Sequence, residues 1–477
     1  MASEERQDIY YQTNPAVSAR LRGDKGAVLF DADTGREKVV NATGAFTWAR
    51  LDGSRSAADI AAELQRAFDG AAFREVAEDV ACFLEEMNAL GFAVAGATRP
   101  QARTAPAGFI EVSDAPLGLD LSLTGKCNLH CVYCFYQEQM KTRPDLPRDE
   151  WLAFFKELGR LAVRDVCLSG GEVFVRPDLW DLIDDVIDNR MRYRINTNGT
   201  LLTENLLARF ETGQRRRRLS GIQVSIDGSC SEVHDKSRGP GSFEKAIRGL
   251  RLLKEAMLPA TVRVTVNRHN VDDLDHIARL LLDEIGINSF STNDAMPMGA
   301  GCENQKDILL TAAQQVTAMK ALARLADQYA GRITALAGPL ANWRMYRQME
   351  KARAAGKTAN QGYMGYLTAC GCVFNQLAVH HDGMITPCNI LGELVMGRVN
   401  RDSLAEIWGN HPLLKKLRDR RQIPMSDVPG CEDCRWAAFC NGGCPGLAYE
   451  LTGDVNRANP HDCYRRFLGE GVKVLEC

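Results

Sequence analysis

The residues best suited to chemistry in this chain are cysteines, and their spacing is ordered. Cys127, Cys131 and Cys134 form a C-x3-C-x2-C run directly after the apolar stretch Leu119–Leu123. A larger late group comprises Cys370, Cys372, Cys388, Cys431, Cys434, Cys440, Cys444 and Cys463. Eight thiolates complete two four-cysteine sites, whereas three leave one corner of a cubane iron-sulfur cluster without a protein ligand. A site with all its ligands supplied by protein is structural or passes electrons, while an open one binds and activates a small molecule. Zinc is an alternative for the late group, because Cys431-x2-Cys434 and Cys440-x3-Cys444 are also knuckle spacings. Against zinc, Pro445 follows Cys444, echoing the C-x3-C-P ending of ferredoxin-like cluster sites. The other five, Cys82, Cys167, Cys230, Cys302 and Cys477, are scattered and read as buried small residues or an exposed terminal thiol.

Elements of fixed geometry must hold these thiols. A strand-then-helix rhythm begins near residue 117, with strands expected at 119–123, 165–168, 193–196, 221–226, 260–266 and 288–292. Helical stretches at 151–161, 179–188 and 243–256 separate them, which implies parallel strands in an α/β barrel or sheet. Chemistry in such folds gathers just beyond the C-terminal strand ends. There the sequence places the three early cysteines, Ser169-Gly170-Gly171-Glu172, Thr197-Asn198-Gly199 and, after Ser225, Asp227-Gly228 with His234, Asp235 and Arg238. Residues 310–357 read as two amphipathic helices. Arg215–Arg218 reads as a solvated helix end or loop, and His380-His381 as hairpin residues before the Asp382-Gly383 turn.

A length of 477 residues exceeds the roughly 250–300 residues of one compact core, so several domains are expected. Residues 1–96 form a small α+β module: a hairpin from 27–30 and 37–40, then a helix opened by a Ser56/Asp59 capping box, then a stripe through Val76, Val80, Leu84 and Met87 closed by Gly91. The stretch 97–116 lacks periodicity and reads as a linker. Lys+Arg 58 against Asp+Glu 61 leaves a formal charge of −3, which gives no basic field to attract nucleic acid or anionic lipid. No signal peptide or membrane-length apolar run is seen. A cytoplasmic protein is expected, where thiols stay reduced.

Together these motifs resemble the radical S-adenosylmethionine (SAM) enzymes that carry a C-terminal SPASM domain. The carriers are the Cys127–Cys134 run with aromatic Tyr133 before its last cysteine, Gly170-Gly171-Glu172, Val224-Ser225-Ile226-Asp227-Gly228, and the late cysteine spacing. Residues 10–96 resemble the PqqD-type element that binds precursor peptides. The resemblance implies an α/β fold: a partial (β/α)6 TIM-like barrel at 117–309, preceded by a winged-helix-like α+β domain. A helical bridge at 310–365 and an iron-sulfur domain at 366–477 would follow.

It also implies three 4Fe-4S clusters. Cys127, Cys131 and Cys134 would hold the one that binds SAM. Cys370, Cys372, Cys388 and Cys444 would hold the first auxiliary cluster, with either Cys370 or Cys372 able to fill its first position, and Cys431, Cys434, Cys440 and Cys463 the second. By the same resemblance Tyr133, Gly170 and Gly171 would line the SAM pocket, and Glu172 would accept from the methionyl ammonium. Ser225 would contact the ribose or methionyl part, Arg238 would pair with the carboxylate, and Asn198 is a further ribose candidate. The implied partners are a precursor peptide or small subunit with a leader segment and an external low-potential electron donor of flavodoxin or ferredoxin type. The implied outcome is a thioether between a Cys sulfur and a carbon, as in the maturation enzymes of quinohemoprotein amine dehydrogenase. Carbon-carbon cross-linking of a peptide is the same-class alternative, and a non-catalytic iron-sulfur electron carrier the different-class one.

Overall fold

The computed structural model describes all residues except 1–8, 23–24, 69–71, 97–109, 112–114, 138–139, 141–142, 357–363, 369 and 471–477, and at 110–111 the backbone alone. Most of the expected linker, and Cys477, therefore lie outside the described residues. The chain divides into two compact units: Met1–Leu117 with Phe155–Arg164 and Asp185–Arg192, and the remainder.

In the first unit the expected hairpin forms from β3 (Ala27–Asp31) and β4 (Glu37–Val40), antiparallel with Ala27 opposite Val40. It belongs to a sheet of order β4-β3-β2-β7, with β2 at Val17–Leu21 and β7 at Ile110–Glu111, so β4 is an edge. A second sheet, ordered β5-β1-β6, joins Asp52–Ser56, Tyr10–Thr13 and Ala93–Gly96. The sequence pattern gave no sign of β1, β5 or β6, because four- and five-residue strands are too short to show a period. Helices α1 (Ala42–Trp48), α2 (Ala57–Ala67) and α3 (Phe73–Ala89) cover the core. Both halves of the Ser56/Asp59 capping box are present. Trp48, Leu51, Ile60, Leu84, Met87 and Phe92 meet in one cluster, while Phe68, just after α2, is exposed.

The second unit is built on one large sheet. Parallel strands β8 (Gly118–Thr124), β9 (Asp165–Gly170), β10 (Arg192–Thr197), β11 (Leu219–Ser225), β12 (Ala260–Val266) and β13 (Phe290–Asp294) follow in order, as in a partial barrel. Helices α4 (Arg148–Arg160), α5 (Leu179–Asp188), α6 (Ser231–Arg238) and α7 (Ser242–Glu255) lie between them. Leu119, Leu121, Leu168, Ile195, Val224 and Val264 are buried, which is why these strands read as apolar runs. The span 310–357 holds the two expected helices and also a strand. Between α8 (Ala312–Gln328) and α9 (Gly338–Ala354) lies β14 (Ile333–Ala335), which pairs parallel with β13.

On the opposite side β15 (Gln376–Val379) pairs parallel with β8, and β16 (Met384–Thr386) and β17 (Gly397–Arg398) extend the sheet. The cysteine-rich end thus begins as further strands of the barrel sheet. The Arg215–Arg218 expectation is corrected: Arg215 and Arg218 are buried. Arg215 grips Asp184 through Nε at 2.7 Å and Nη2 at 2.6 Å and stacks on Trp180, so this end of the run is a brace, while Arg217 is exposed. Among the described residues no helix is long and apolar enough to cross a membrane.

Candidate active site

The early cysteine loop leaves the end of β8 and is fastened from two sides. Val132 N donates to Ser237 O at 3.0 Å, Asn304 Nδ2 donates to Val132 O at 3.0 Å, and Ala300 N donates to Cys134 O at 3.1 Å. The glycines after β9 fix its other flank. A Cβ at Gly170, whose φ is +140°, would stand 2.4 Å from Thr124 O, and one at Gly171 would stand 2.2 Å from Lys126 O. Only glycine allows this approach of backbone to backbone.

The three cysteines line one cavity of about 350 Å³ together with Tyr133, Gly170, Gly171, Asn198, Ser225 and Arg238. All the sequence-derived SAM-contact candidates except Glu172 are therefore brought together at the strand ends. Glu172 sits behind this wall and is 1% exposed. Its carboxylate accepts from Thr197 Oγ1 at 2.8 Å, Asn198 N at 2.7 Å and Phe174 N at 3.1 Å. Burial holds its pKa above the usual carboxylate range despite those bonds. Its geometry is that of a clamp ordering the Thr197-Asn198 turn, with about one of its four acceptor directions left over.

Arg238 lines the cavity with its charge already anchored. Its Nε donates to Asp227 Oδ2 at 2.6 Å, and the Tyr133 hydroxyl donates to the same oxygen. Asp227 Oδ1 accepts from Thr265 N at 2.7 Å. Burial opposes the Arg238 charge, but Asp227 outweighs it and raises the pKa further above the ordinary value. The Asp227 backbone N–H donates to His234 Nδ1 at 3.0 Å, and burial lowers the pKa of that imidazole to about 4. The sequence marked Asp227 only as part of a turn-like motif and gave no sign of Thr265. Asn128 was also missed: Asn198 Nδ2 donates to Asn128 Oδ1 at 2.9 Å, and Asn128 Nδ2 to Thr200 Oγ1 at 2.8 Å.

The late cysteines separate into two sets. Cys431, Cys434, Cys440 and Cys463 line a largely apolar cavity of about 340 Å³ beside Tyr346, Met349 and Trp436. Burial pushes the Cys431 thiol up to about 12 and Cys440 up to about 11. In the other set the neighbouring Cys372 thiol pulls Cys370 down to about 6 and lowers Cys388. The Cys444 thiol feels both Cys388 and Cys370, so Cys370 and Cys372 belong to one group of thiols. His380 and His381 do occupy the hairpin turn between β15 and β16, but both are buried. They meet the Tyr136 hydroxyl at 3.2 and 2.9 Å through their Nδ1 atoms. Of the scattered thiols, Cys167 is buried as expected, Cys82 is exposed, and Cys302 is disulfide-bonded.

These donor sets fit the groups the motifs imply. Three thiols at a cavity mouth beside an anchored guanidinium suit an iron-sulfur cluster with one open iron and a ligand bearing a carboxylate. Residues 121–281 match the radical SAM superfamily, 26–93 match coenzyme PQQ synthesis protein D, and 370–435 match the SPASM iron-sulfur cluster-binding domain. A mycofactocin maturase of Mycobacterium ulcerans is 30% identical over 69% of this chain and 83% of its own length. This chain belongs to the radical SAM superfamily. An AdoMet-dependent heme synthase of Methanosarcina barkeri is 28% identical to this radical SAM/SPASM enzyme, over 75% of this chain and 99% of its own. SuiB of Streptococcus suis, solved bound to the precursor peptide SuiA, shares the fold with a TM-score of 0.62 at 14% identity, covering 95% of this chain and 99% of that one.

Proposed function

We propose that this radical SAM/SPASM peptide maturase forms a thioether between a cysteine sulfur and a carbon of a ribosomally made precursor. The observation that carries the reading is one chain pairing a PqqD-type module with an open three-cysteine cavity. When bound, the cluster and SAM supply a primary carbon radical able to remove hydrogen from an unactivated C–H bond. The chain's own residues do the rest. Cys127, Cys131 and Cys134 would hold the cluster, Arg238 would pair with the methionyl carboxylate, Ser225 and Asn198 would contact the ribose, and Glu172 keeps Thr197-Asn198 in register. Cys370, Cys372, Cys388 and Cys444, and separately Cys431, Cys434, Cys440 and Cys463, would hold two auxiliary clusters, which would supply an acceptor for one electron. An external flavodoxin or ferredoxin supplies the low-potential electron. The leader segment adds as a strand to the outer edge of β4, where Val39 is 57% exposed and main-chain hydrogen bonds supply affinity.

Anaerobic reconstitution with dithionite, SAM and the peptide encoded beside this chain tests the proposal. The expected products are 5′-deoxyadenosine and a peptide lighter by a hydrogen pair per cysteine, with that thiol blocked to alkylation. Full iron loading without 5′-deoxyadenosine overturns the enzyme chemistry. Loss of the hydrogen pair with a freely alkylated thiol selects carbon-carbon cross-linking. The match to heme synthases motivates a parallel incubation with a tetrapyrrole; turnover of that compound and not of the peptide would reassign the substrate.

A further inference from the structure

Among the described residues, the cavity that holds the three cysteines is lined by one carboxylate, with no part in the cofactor wall. Asp294 ends β13 and lines the same cavity, yet it is only 8% exposed. Its surroundings differ from those of Asp227. Asp227 is neutralised by Arg238 and saturated by Tyr133 and Thr265, whereas among the described residues Asp294 has no ion pair. From other residues its side chain accepts one hydrogen bond, from Gln315 Nε2, long at 3.3 Å. Gln315 is itself 0% exposed, its Oε1 is without a partner, and its Nε2 lies 3.4 Å from His461 Nε2. His461 Nδ1 in turn stands 3.4 Å from Asp462 Oδ1, and Asp462 is held by Asn342 at 2.8 Å and Asn459 at 2.7 Å.

A buried carboxylate left this poorly solvated costs free energy that packing does not return. Groups in that condition inside a cleft are candidates for chemistry. Burial is the first cause of its shift: it raises the Asp294 pKa to about 7, against the pull of nearby His461. That places the group where it can take up a proton near neutrality. Asn389 reaches the same cavity and its Oδ1 also has no partner; besides His461, the charges that act on the carboxylate are Asp462 and Arg466.

We propose that Asp294 is the proton acceptor of the substrate chamber. The assignment rests on the thioether reading above and supplies the group that reading lacks. A hydrogen atom leaves the substrate carbon and ends in 5′-deoxyadenosine. The carbon then bonds to the cysteine sulfur as the S–H bond breaks. The thiol proton goes to an Asp294 oxygen, and one electron passes to an oxidised auxiliary iron-sulfur cluster. The substrate has then lost one hydrogen atom, one proton and one electron, which is the hydrogen pair.

The test uses the reconstituted full-length enzyme as wild type, Asp294→Asn and Asp294→Glu, with precursor deuterated at the attacked carbon. Asp294→Asn is expected to form deuterated 5′-deoxyadenosine as the wild type does while cross-linked peptide falls about 100-fold or more, the scale of a lost general base. Peptide affinity of the cluster-free protein, read by fluorescence anisotropy, should be unchanged, and Asp294→Glu should recover part of the product. Undiminished cross-linking in Asp294→Asn overturns the role of Asp294 and leaves the thioether reading standing. So does a parallel fall of deuterated 5′-deoxyadenosine and product, or a loss of peptide affinity, either of which marks Asp294 as a positioning group. A wild-type enzyme that consumes SAM and leaves every peptide thiol free overturns the thioether reading itself.

Discussion

Asp227 carries the electrostatics of the cofactor wall, since Arg238, Tyr133 and Thr265 N all converge on its carboxylate. Asp227→Asn leaves the Arg238 guanidinium buried without its counter-charge, at a cost of about 3–5 kcal/mol. Urea unfolding of the cluster-free variant should show that loss, and equilibrium dialysis of the reconstituted variant should show weakened SAM binding. His234 gives a pH signature. Its folded pKa of about 4 lies below the ordinary 6.5, so between those values the unfolded chain binds more protons and stability falls as pH drops. The loss reaches up to about 3 kcal/mol at the acid end. Thermal melts of wild type and His234→Phe at stepped pH should diverge across that window, with the variant the flatter; parallel curves would contradict a neutral buried His234. At this scale the cysteines were legible because their ligand spacing is local. Asp294 was not, since Gln315 and His461, which define its surroundings, lie far along the chain from it.

At the scale of elements, the junction of the Gly170-Gly171 turn with the cysteine loop can be probed directly. A Cβ at Gly171 would meet Lys126 O at 2.2 Å and the Cys127 Cβ at 3.0 Å, so Gly171→Ala must push the loop aside. Overpacking of this kind costs about 1–3 kcal/mol. The iron that belongs to the early cysteines should be lost while the auxiliary iron stays, read by metal analysis and by the spectrum of the dithionite-reduced protein. Val39→Asp on the β4 edge should weaken peptide binding and spare cofactor cleavage in the absence of peptide; unchanged peptide affinity would move the leader site elsewhere. The parallel strands were readable because strands buried on both faces are continuous apolar runs. β14 escaped notice because Ile333–Ala335 is too short to show a pattern, and its pairing with β13 is a tertiary fact.

For the second unit as a whole, the decisive feature is that the cysteine-rich end is not an appended bead. β15 supplies the parallel neighbour of β8 from Gln376 opposite Gly118 to Val379 opposite Leu121, and β8 is the strand that delivers the early cysteines. The family resemblance placed a domain boundary near residue 366. Nothing in a linear pattern says that two such segments share a hydrogen-bonded edge. Removing residues 366–477 would leave β8 with a row of unpaired backbone groups, a template for intermolecular pairing. The truncated chain should therefore be recovered as aggregate, and iron should fail to enter the early site even though Cys127, Cys131 and Cys134 remain. Size-exclusion chromatography with anaerobic iron titration checks both. A monodisperse truncated protein that still binds one cluster and cleaves SAM would show that the barrel stands without β15, and that the C-terminal cysteines serve electron transfer alone.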